Sequence, residues 1–176
     1  IHIGGGFMSK AVDEKAINAV AAMVTREKPD LVIATGDIAF PSPSAGTINN
    51  HSGAKAFANL MESLGVYWTV TFGNHDAEST VDGYSKESLS EYMDSCDAKY
   101  LLYDSGYIDT NNNRYGNFSI SVLNHNGTKM LGAIILMDGG AYNSSISSYD
   151  SITKGQISWY ESEIDALDAR YRGEGT

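Results

Sequence analysis

The sequence contains little cysteine, few basic residues and no long apolar run, and each shortage narrows what the protein can be. Cys96 is the single cysteine, so an internal disulfide is excluded while the redox compartment stays open. No apolar run approaches the ~20 residues that span a bilayer, and no basic, apolar leader opens the chain. Twelve basic against 22 acidic residues give a net charge of -10, which opposes binding to a polyphosphate backbone. A membrane segment and a nucleic-acid partner are therefore not expected, whereas localisation and oligomeric state stay open.

What is present fits a single domain of alternating helices and strands. The chain has 176 residues and a mass of 19.0 kDa, and 42% apolar residues suffice for a sizeable core. The runs Leu31 to Thr35 and Val66 to Phe72 predict strands. Strands that alternate with helices indicate an α/β fold with a mostly parallel sheet and right-handed crossovers. Two amphipathic helices, ended by Pro29 and Gly65, are predicted from apolar residues at helical spacing: Ile17, Val20, Ala21 and Val24, then Phe57, Leu60, Met61 and Leu64.

The second half of the sequence has a different pattern. Residues 85–96 predict a short helix, and the segment from Pro41 to Gly53 predicts a long loop before it. Apolar residues alternate with serines from Phe118 to Val122, and Asn126-Gly127 leads into the apolar run Met130 to Met137. This combination predicts a β-hairpin whose second strand is buried in the sheet. After a linker over 139–153, a last helix is predicted from an apolar stripe: Ile157, Tyr160, Ile164, Leu167 and Tyr171.

Polar side chains suited to metal binding or proton transfer stand at the ends of three apolar segments. His2 lies in the first, Gly36-Asp37 ends the second, and Gly73-Asn74-His75-Asp76 ends the third. Because the carboxyl ends of parallel strands share one edge of a sheet, we expect His2, Asp37, Asn74 and His75 to converge. Three functional groups in succession after one strand indicate a reaction site.

These blocks resemble the signature of the calcineurin-like metallophosphoesterases, which runs Asp-x-His, Gly-Asp, Gly-Asn-His-Asp, Gly-His and Gly-His-x-His. Ile1-His2 is similar to the end of the first block, and Gly36-Asp37 and Gly73 to Asp76 to the second and third. The first Asp would precede Ile1, and no Gly-His pair occurs in the 176 residues. The resemblance therefore implies that residues 1–176 are the N-terminal and central part of one such domain, a partial sandwich cut at both ends.

The resemblance also implies a role for each site residue. Asp37 would bridge two divalent metal ions, His2 would bind the first ion and Asn74 the second. Imidazole, amide and carboxylate donors suit manganese, zinc or iron. His75 would serve catalysis beside the leaving-group oxygen as a donor of a hydrogen bond or proton, and Asp76 would orient its ring.

The activity implied is hydrolysis of phosphoric esters of small substrates by a water that two metals activate. A phosphomonoesterase is favoured over a phosphodiesterase, and the alternative is a catalytically inactive relative that keeps the fold as a binding or scaffolding module. Phe40 stands where purple acid phosphatases carry an iron-binding Tyr, so a tyrosinate-bound iron centre is not expected unless another Tyr reaches the site. Gln156 and Trp159 match a Gln-x-x-Trp stretch of a branch that distantly resembles those enzymes.

Other polar or glycine-rich positions have simpler interpretations. Gly4-Gly5-Gly6 lacks the Lys-Ser/Thr pair of a P-loop and predicts a flexible connection. His51 and His125 lie in polar, turn-rich stretches and are expected to be solvated. Asp138 follows the predicted buried strand, where it could face the site but more often would form a turn.

The ligand set predicts that the 176-residue chain binds divalent metal weakly and has no appreciable phosphatase activity. His2, Asp37 and Asn74 fall short of the about four to six donors that such ions prefer. Two close cations that share one carboxylate would also repel each other. Calorimetric titration with manganese or zinc measures the affinity, and micromolar binding at two sites or measurable ester hydrolysis would contradict this prediction.

Overall fold

Two parallel strands, each preceded by a helix, form the first half of the protein. The computed structural model describes residues 1–42 and 48–172. Helix α1 (Lys10–Glu27) leads to strand β1 (Leu31–Thr35), and α2 (His51–Leu64) leads to β2 (Tyr67–Thr71). The helices and strands predicted for this half are confirmed. Helix α2 begins inside the loop predicted from Pro41 to Gly53. Residues 43–47 of that loop lie outside the described residues. Leu31 pairs with Tyr67 and Thr35 with Thr71, so both strands end at the same level.

The segment that contains His2 joins this sheet by a single parallel bridge. The Ile3 N–H donates to the Ile38 carbonyl at 3.0 Å, and the Phe40 N–H donates to the Ile3 carbonyl at 3.0 Å. The apolar segment that contains His2, expected to end a strand, therefore forms only this one bridge. Its bridge partner, Ala39, lies in the chain that follows β1. Even so, the bridge places His2 beside the carboxyl end of β1.

The second half is antiparallel, so the expected parallel pairing is present between β1 and β2 and accounts for only part of the strands. Strands β3 (Tyr107–Asp109), β4 (Arg114–Leu123) and β5 (Met130–Leu136) form one sheet in that order. The predicted hairpin is β4–β5, and its short connection forces antiparallel pairing because a parallel crossover needs a dozen or more residues. Among the described residues β5 pairs only with β4 in this sheet, and Leu131 is 67% exposed, so most of this strand is half-buried and not buried as predicted.

Three smaller elements complete the fold. Helix α3 (Lys86–Ser95) follows the predicted limits and buries Leu89 and Met93. A small hairpin, β6 (Tyr142–Asn143) with β7 (Ser148–Tyr149), occupies the predicted linker. No helix among the described residues has the length and apolar character to cross a membrane. The core lies between α2, α3 and the parallel strands, and its largest fully buried apolar side chains are Trp68, Phe72, Ile3, Ile38, Met61, Leu89 and Met93.

Helix α4 (Lys154–Tyr171) has the predicted position but not the predicted packing. Its N-terminus is a capping box between Thr153 and Gln156. Of the apolar stripe, Leu167 is buried, whereas Ile157, Tyr160 and Ile164 are exposed. The fully buried side chain is Gln156, whose Nε2 donates to the Asn117 side chain and the Asp138 carbonyl at 2.7 and 2.8 Å. Trp159 is half-buried and stacks on Tyr107.

A buried ion pair joins α3 to the end of β5. Lys86 Nζ lies 2.9 and 3.0 Å from the two carboxylate oxygens of Asp138, and both side chains are 0% exposed. The same carboxylate accepts N–H groups from Tyr115 and Gly140 at 3.1 and 2.8 Å. Every strong acceptor site of Asp138 is thus used, as a buried charge requires.

Removing the lysine from this pair should destabilise the protein strongly. Lys86→Met leaves the Asp138 carboxylate buried without its counter-charge, and we expect a loss of about 3–5 kcal/mol in the free energy of unfolding. The matched control is Lys10→Met, whose side chain is 72% exposed in a surface pair with Glu14; it should cost under about 1 kcal/mol. Urea unfolding measures both variants, and equal small losses would refute the assignment.

Candidate metal centre

The site is built on two glycine turns that touch each other. Gly36 follows β1 with φ +95°, and Gly73 follows β2 after Phe72. A Cβ on Gly36 would collide with the Gly73 backbone, and a Cβ on Gly73 would collide with the Asp37 carboxylate. The two strand ends can therefore approach closely only because both positions are glycine. Asp37 itself has φ 52°, a left-handed conformation that Asp tolerates better than most residues.

The Asp76 carboxylate holds the two turns together. It is fully buried and accepts N–H groups from Asp37 at 2.8 Å, Gly73 at 2.8 Å and Ala39 at 3.1 Å. Burial raises the pKa of Asp76; the three hydrogen bonds oppose this change, and the nearby charge of Asp37 adds to it. The expectation that Asp76 orients the His75 ring is therefore corrected, because its carboxylate is directed to backbone donors.

Glu78 supplies the carboxylate contact to His75. His75 begins a short 3₁₀ turn, His75–Ala77, and its Nδ1 lies 2.5 Å from Glu78 Oε2. In a 3₁₀ turn, side chains three residues apart lie on the same side. The three-residue spacing from His75 to Glu78 is therefore the feature of the sequence that could have indicated this contact. The sequence analysis missed Glu78 because it took the adjacent Asp76 as the partner.

Three predicted site residues converge at this edge of the sheet. His2 Nε2 lies 3.5 Å from Asp37 Oδ2, and the His2 and His75 rings are 5.2 Å apart. One ligand atom from each of His2, Asp37 and His75 lies within 4.8 Å of the other two. The backbone N–H of His75 also donates to Asp37 Oδ1 at 2.9 Å, which fixes the orientation of that carboxylate. Phe40 packs edge-on against both imidazoles.

Asn74 lies with Asp37 in a neighbouring cleft of about 440 Å³. The other residues that line the cleft come from both strand ends and from the chain after β5: Thr35, Thr71, Phe72, Gly73, Met137, Gly139, Gly140, Ala141 and Tyr149. Thr71 Oγ1 is buried and has no hydrogen-bond partner among the described residues. Asp37 thus belongs both to the cluster with the two imidazoles and to the cleft that contains Asn74 and the unpaired Thr71 hydroxyl.

The donor set fits divalent metal ions. Two imidazoles, a carboxylate and an amide match the preferences of manganese, zinc and iron. The geometry also allows His75 as a third donor with His2 and Asp37, a role that the sequence analysis did not assign to it.

The remaining candidates lie away from this cluster. The backbone N–H groups of Gly4 and Gly5 donate to the Asp13 carboxylate at 3.0 and 2.9 Å, so the chain's own carboxylate occupies that glycine loop. His51 is half-buried against Tyr84 and Tyr92, which corrects its expected solvation. Burial lowers the pKa of His51, and a hydrogen bond from the imidazole to the backbone of Ser88 opposes this shift. His125 is exposed, as expected.

Comparison with known proteins identifies the family. The model of the calcineurin-like phosphoesterases matches residues 8–173, which is nearly the whole chain. The protein therefore belongs to the calcineurin-like phosphoesterase family. It is 24% identical over 165 residues to "Probable inactive purple acid phosphatase 29" of Arabidopsis thaliana. This alignment covers 88% of the chain and 40% of the Arabidopsis protein, so the chain spans less than half the length of that relative.

The unpaired hydroxyl of Thr71 makes a test of the cleft possible. Thr71→Val keeps the shape of the side chain and removes a buried polar group without a partner, so the ligand-free protein should gain stability, by about 1 kcal/mol. If the hydroxyl contacts a ligand, the same variant should bind orthophosphate in the presence of zinc more weakly. Thermal unfolding with and without zinc and phosphate measures both effects, with Thr80→Val, at an exposed position, as control. A destabilised ligand-free variant would show that Thr71 has an internal role instead.

Proposed function

We propose that the protein hydrolyses small phosphoric monoesters with two divalent metal ions. The observation that carries this proposal is the convergence of His2, Asp37 and His75 within 4.8 Å, beside the cleft that contains Asn74. Membership of the calcineurin-like phosphoesterases supports metal-dependent chemistry on phosphoric esters in general. The preference for monoesters and the number of metals are part of the proposal.

The residues divide between the two ions around Asp37. Asp37 would bridge them, His2 would hold the first and Asn74 the second. Divalent ions supply positive charge for the phosphoryl oxygens and a stronger nucleophile at neutral pH. Manganese, zinc and iron all suit these donors. Phe40 carries no oxygen at the position where purple acid phosphatases have Tyr, which favours a centre without a tyrosinate ligand.

His75 would place a proton near the leaving-group oxygen. Its Nδ1 is engaged by Glu78, so Nε2 is the nitrogen available to a substrate. A carboxylate on the far nitrogen holds the ring in one orientation. Phe40 packs on both imidazoles and limits their rotation. In this assignment Asp76 acts indirectly, because its carboxylate holds the two glycine turns in their relative positions.

A second candidate is a phosphoesterase fold that binds ligands without turnover. The observation that favours it is the word "inactive" in the name of the Arabidopsis relative. The two candidates share metal and phosphate binding and differ only in whether a bound ester is cleaved. A full-length protein that binds metal and phosphate but cleaves no chromogenic ester would establish this second candidate.

Two variants of the full-length protein test the roles. Asp37→Asn keeps a residue that tolerates φ 52° and removes the bridging charge, so metal content and turnover should both fall. His75→Ala should keep most of the metal and lower turnover of a chromogenic phosphate ester by about 10²–10⁴-fold.

The controls are Asp30→Asn and His125→Ala, which make the same chemical changes at exposed positions. Metal analysis is done on all four variants beside turnover. Equal loss of metal in Asp37→Asn and His75→Ala would make His75 a ligand, which its position in the cluster permits, and would refute its proposed role as proton donor.

A further inference from the structure

The small hairpin β6–β7 presents two exposed tyrosines, and one of them lines the cleft of Asp37 and Asn74. Tyr149 is 63% exposed and Tyr142 54%, and the two are cross-strand partners. Their rings pack edge to face with centroids 5.6 Å apart. Tyr149 lines the cleft together with the apolar side chains of Met137 and Ala141. A cleft with metal-type donors thus has an aromatic residue on its border.

The hairpin is firmly anchored where it leaves β5. Asp138 is held by Lys86, and its carboxylate accepts the Gly140 N–H at 2.8 Å just before the hairpin begins. Gly140 has φ +91°, and a Cβ there would collide with the guanidinium of Arg114. The backbone at the start of the hairpin is therefore enclosed by two charged side chains.

A second ion pair anchors the other end. Arg114 is buried and its Nη2 lies 3.0 Å from Asp150 Oδ2, directly after Tyr149. The other oxygen of Asp150 accepts from Asn143 Nδ2 at 2.9 Å, and the Asp150 N–H donates to the Ala141 carbonyl at 2.9 Å. A pair of two-residue strands has too little apolar contact to hold itself in place. The anchors thus fix the direction of a hairpin that has no core of its own.

We propose that Tyr149 is a specificity-determining residue that stacks on a planar ring in the leaving group of the substrate. This inference rests on the proposed phosphoesterase function and adds the substrate class: monoesters of aryl alcohols or of other ring-bearing alcohols. An exposed ring held in one place loses little conformational freedom when it binds a flat partner. The cleft of about 440 Å³ has room for a phosphoryl group and one such ring.

Charge narrows the class further. Tyr149, Met137 and Ala141 are uncharged, so the border of the cleft favours an uncharged ring. Ring stacking of this kind should favour a ring-bearing ester over a methyl ester by about three- to tenfold in affinity.

The test compares phenylphosphonate with methylphosphonate, which resemble the two esters but are not hydrolysed. Calorimetric titration into the zinc-loaded full-length protein should give about three- to tenfold tighter binding of the phenyl compound. Tyr149→Ala should reduce this ratio to about one, whereas Tyr149→Phe, which retains the ring, should keep it. Tyr160→Ala is the matched control, since Tyr160 is 42% exposed on α4 and does not line the cleft.

Each outcome separates this inference from the function on which it rests. An unchanged phenyl-to-methyl ratio in Tyr149→Ala, or a lost preference in Tyr149→Phe, would overturn the role of the ring while phosphonate binding remained. If neither phosphonate binds in the presence of zinc, the proposed function fails and the inference fails with it. The ratio of kcat/KM for phenyl phosphate and methyl phosphate provides a second readout, which should follow the binding ratio.

Discussion

The Asp76 carboxylate connects the two strand-end turns through three backbone N–H groups, and the position of every proposed ligand depends on this connection. Asp37 donates its own backbone N–H to that carboxylate. Asn74 directly follows Gly73, whose backbone N–H also donates to it. The third donor, Ala39, belongs to the stretch that pairs with Ile3 and so places His2. One buried side chain thus sets the relative positions of segments that lie far apart in the sequence. Because the donors are backbone groups, the geometry does not depend on flexible side chains.

The convergence of the site could be predicted from the sequence because parallel strands align their carboxyl ends. Apolar runs, helical stripes and glycines located β1 and β2 closely enough for Asp37 and Asn74 to be assigned to one edge. Interpreting apolar runs was less successful in the second half, where the run Met130 to Met137 indicated a buried strand. Within the part of the chain that the structure describes, β5 has one neighbour in its sheet, and hydrophobicity does not tell an edge strand from a central one.

The polar contacts inside the fold were beyond sequence analysis for a different reason. Lys86 and Asp138 are 52 positions apart, and neither composition nor spacing indicates that they meet. Asp76 and Glu78 both lie close to His75 in the chain, and only the 3₁₀ turn decides which carboxylate reaches the ring. Helix α4 shows the converse, since its apolar stripe is regular while its fully buried side chain is Gln156. Periodicity predicts which face of a helix is apolar, and tertiary contacts decide which face is covered.

The close backbone contact between Gly36 and Gly73 has a consequence for how proteins with these two turns can diverge. Gly36 and Gly73 are required by close backbone contact, and Asp76 by hydrogen bonding, whether or not a substrate is ever cleaved. A descendant that lost turnover would still be selected to keep these three residues in order to fold. Three of the six residues of the Gly-Asp and Gly-Asn-His-Asp signature would therefore be kept after catalysis was lost. The fold does not require the side chains of His2 and His75 in this way. These are therefore the positions at which substitutions would first accumulate after activity was lost.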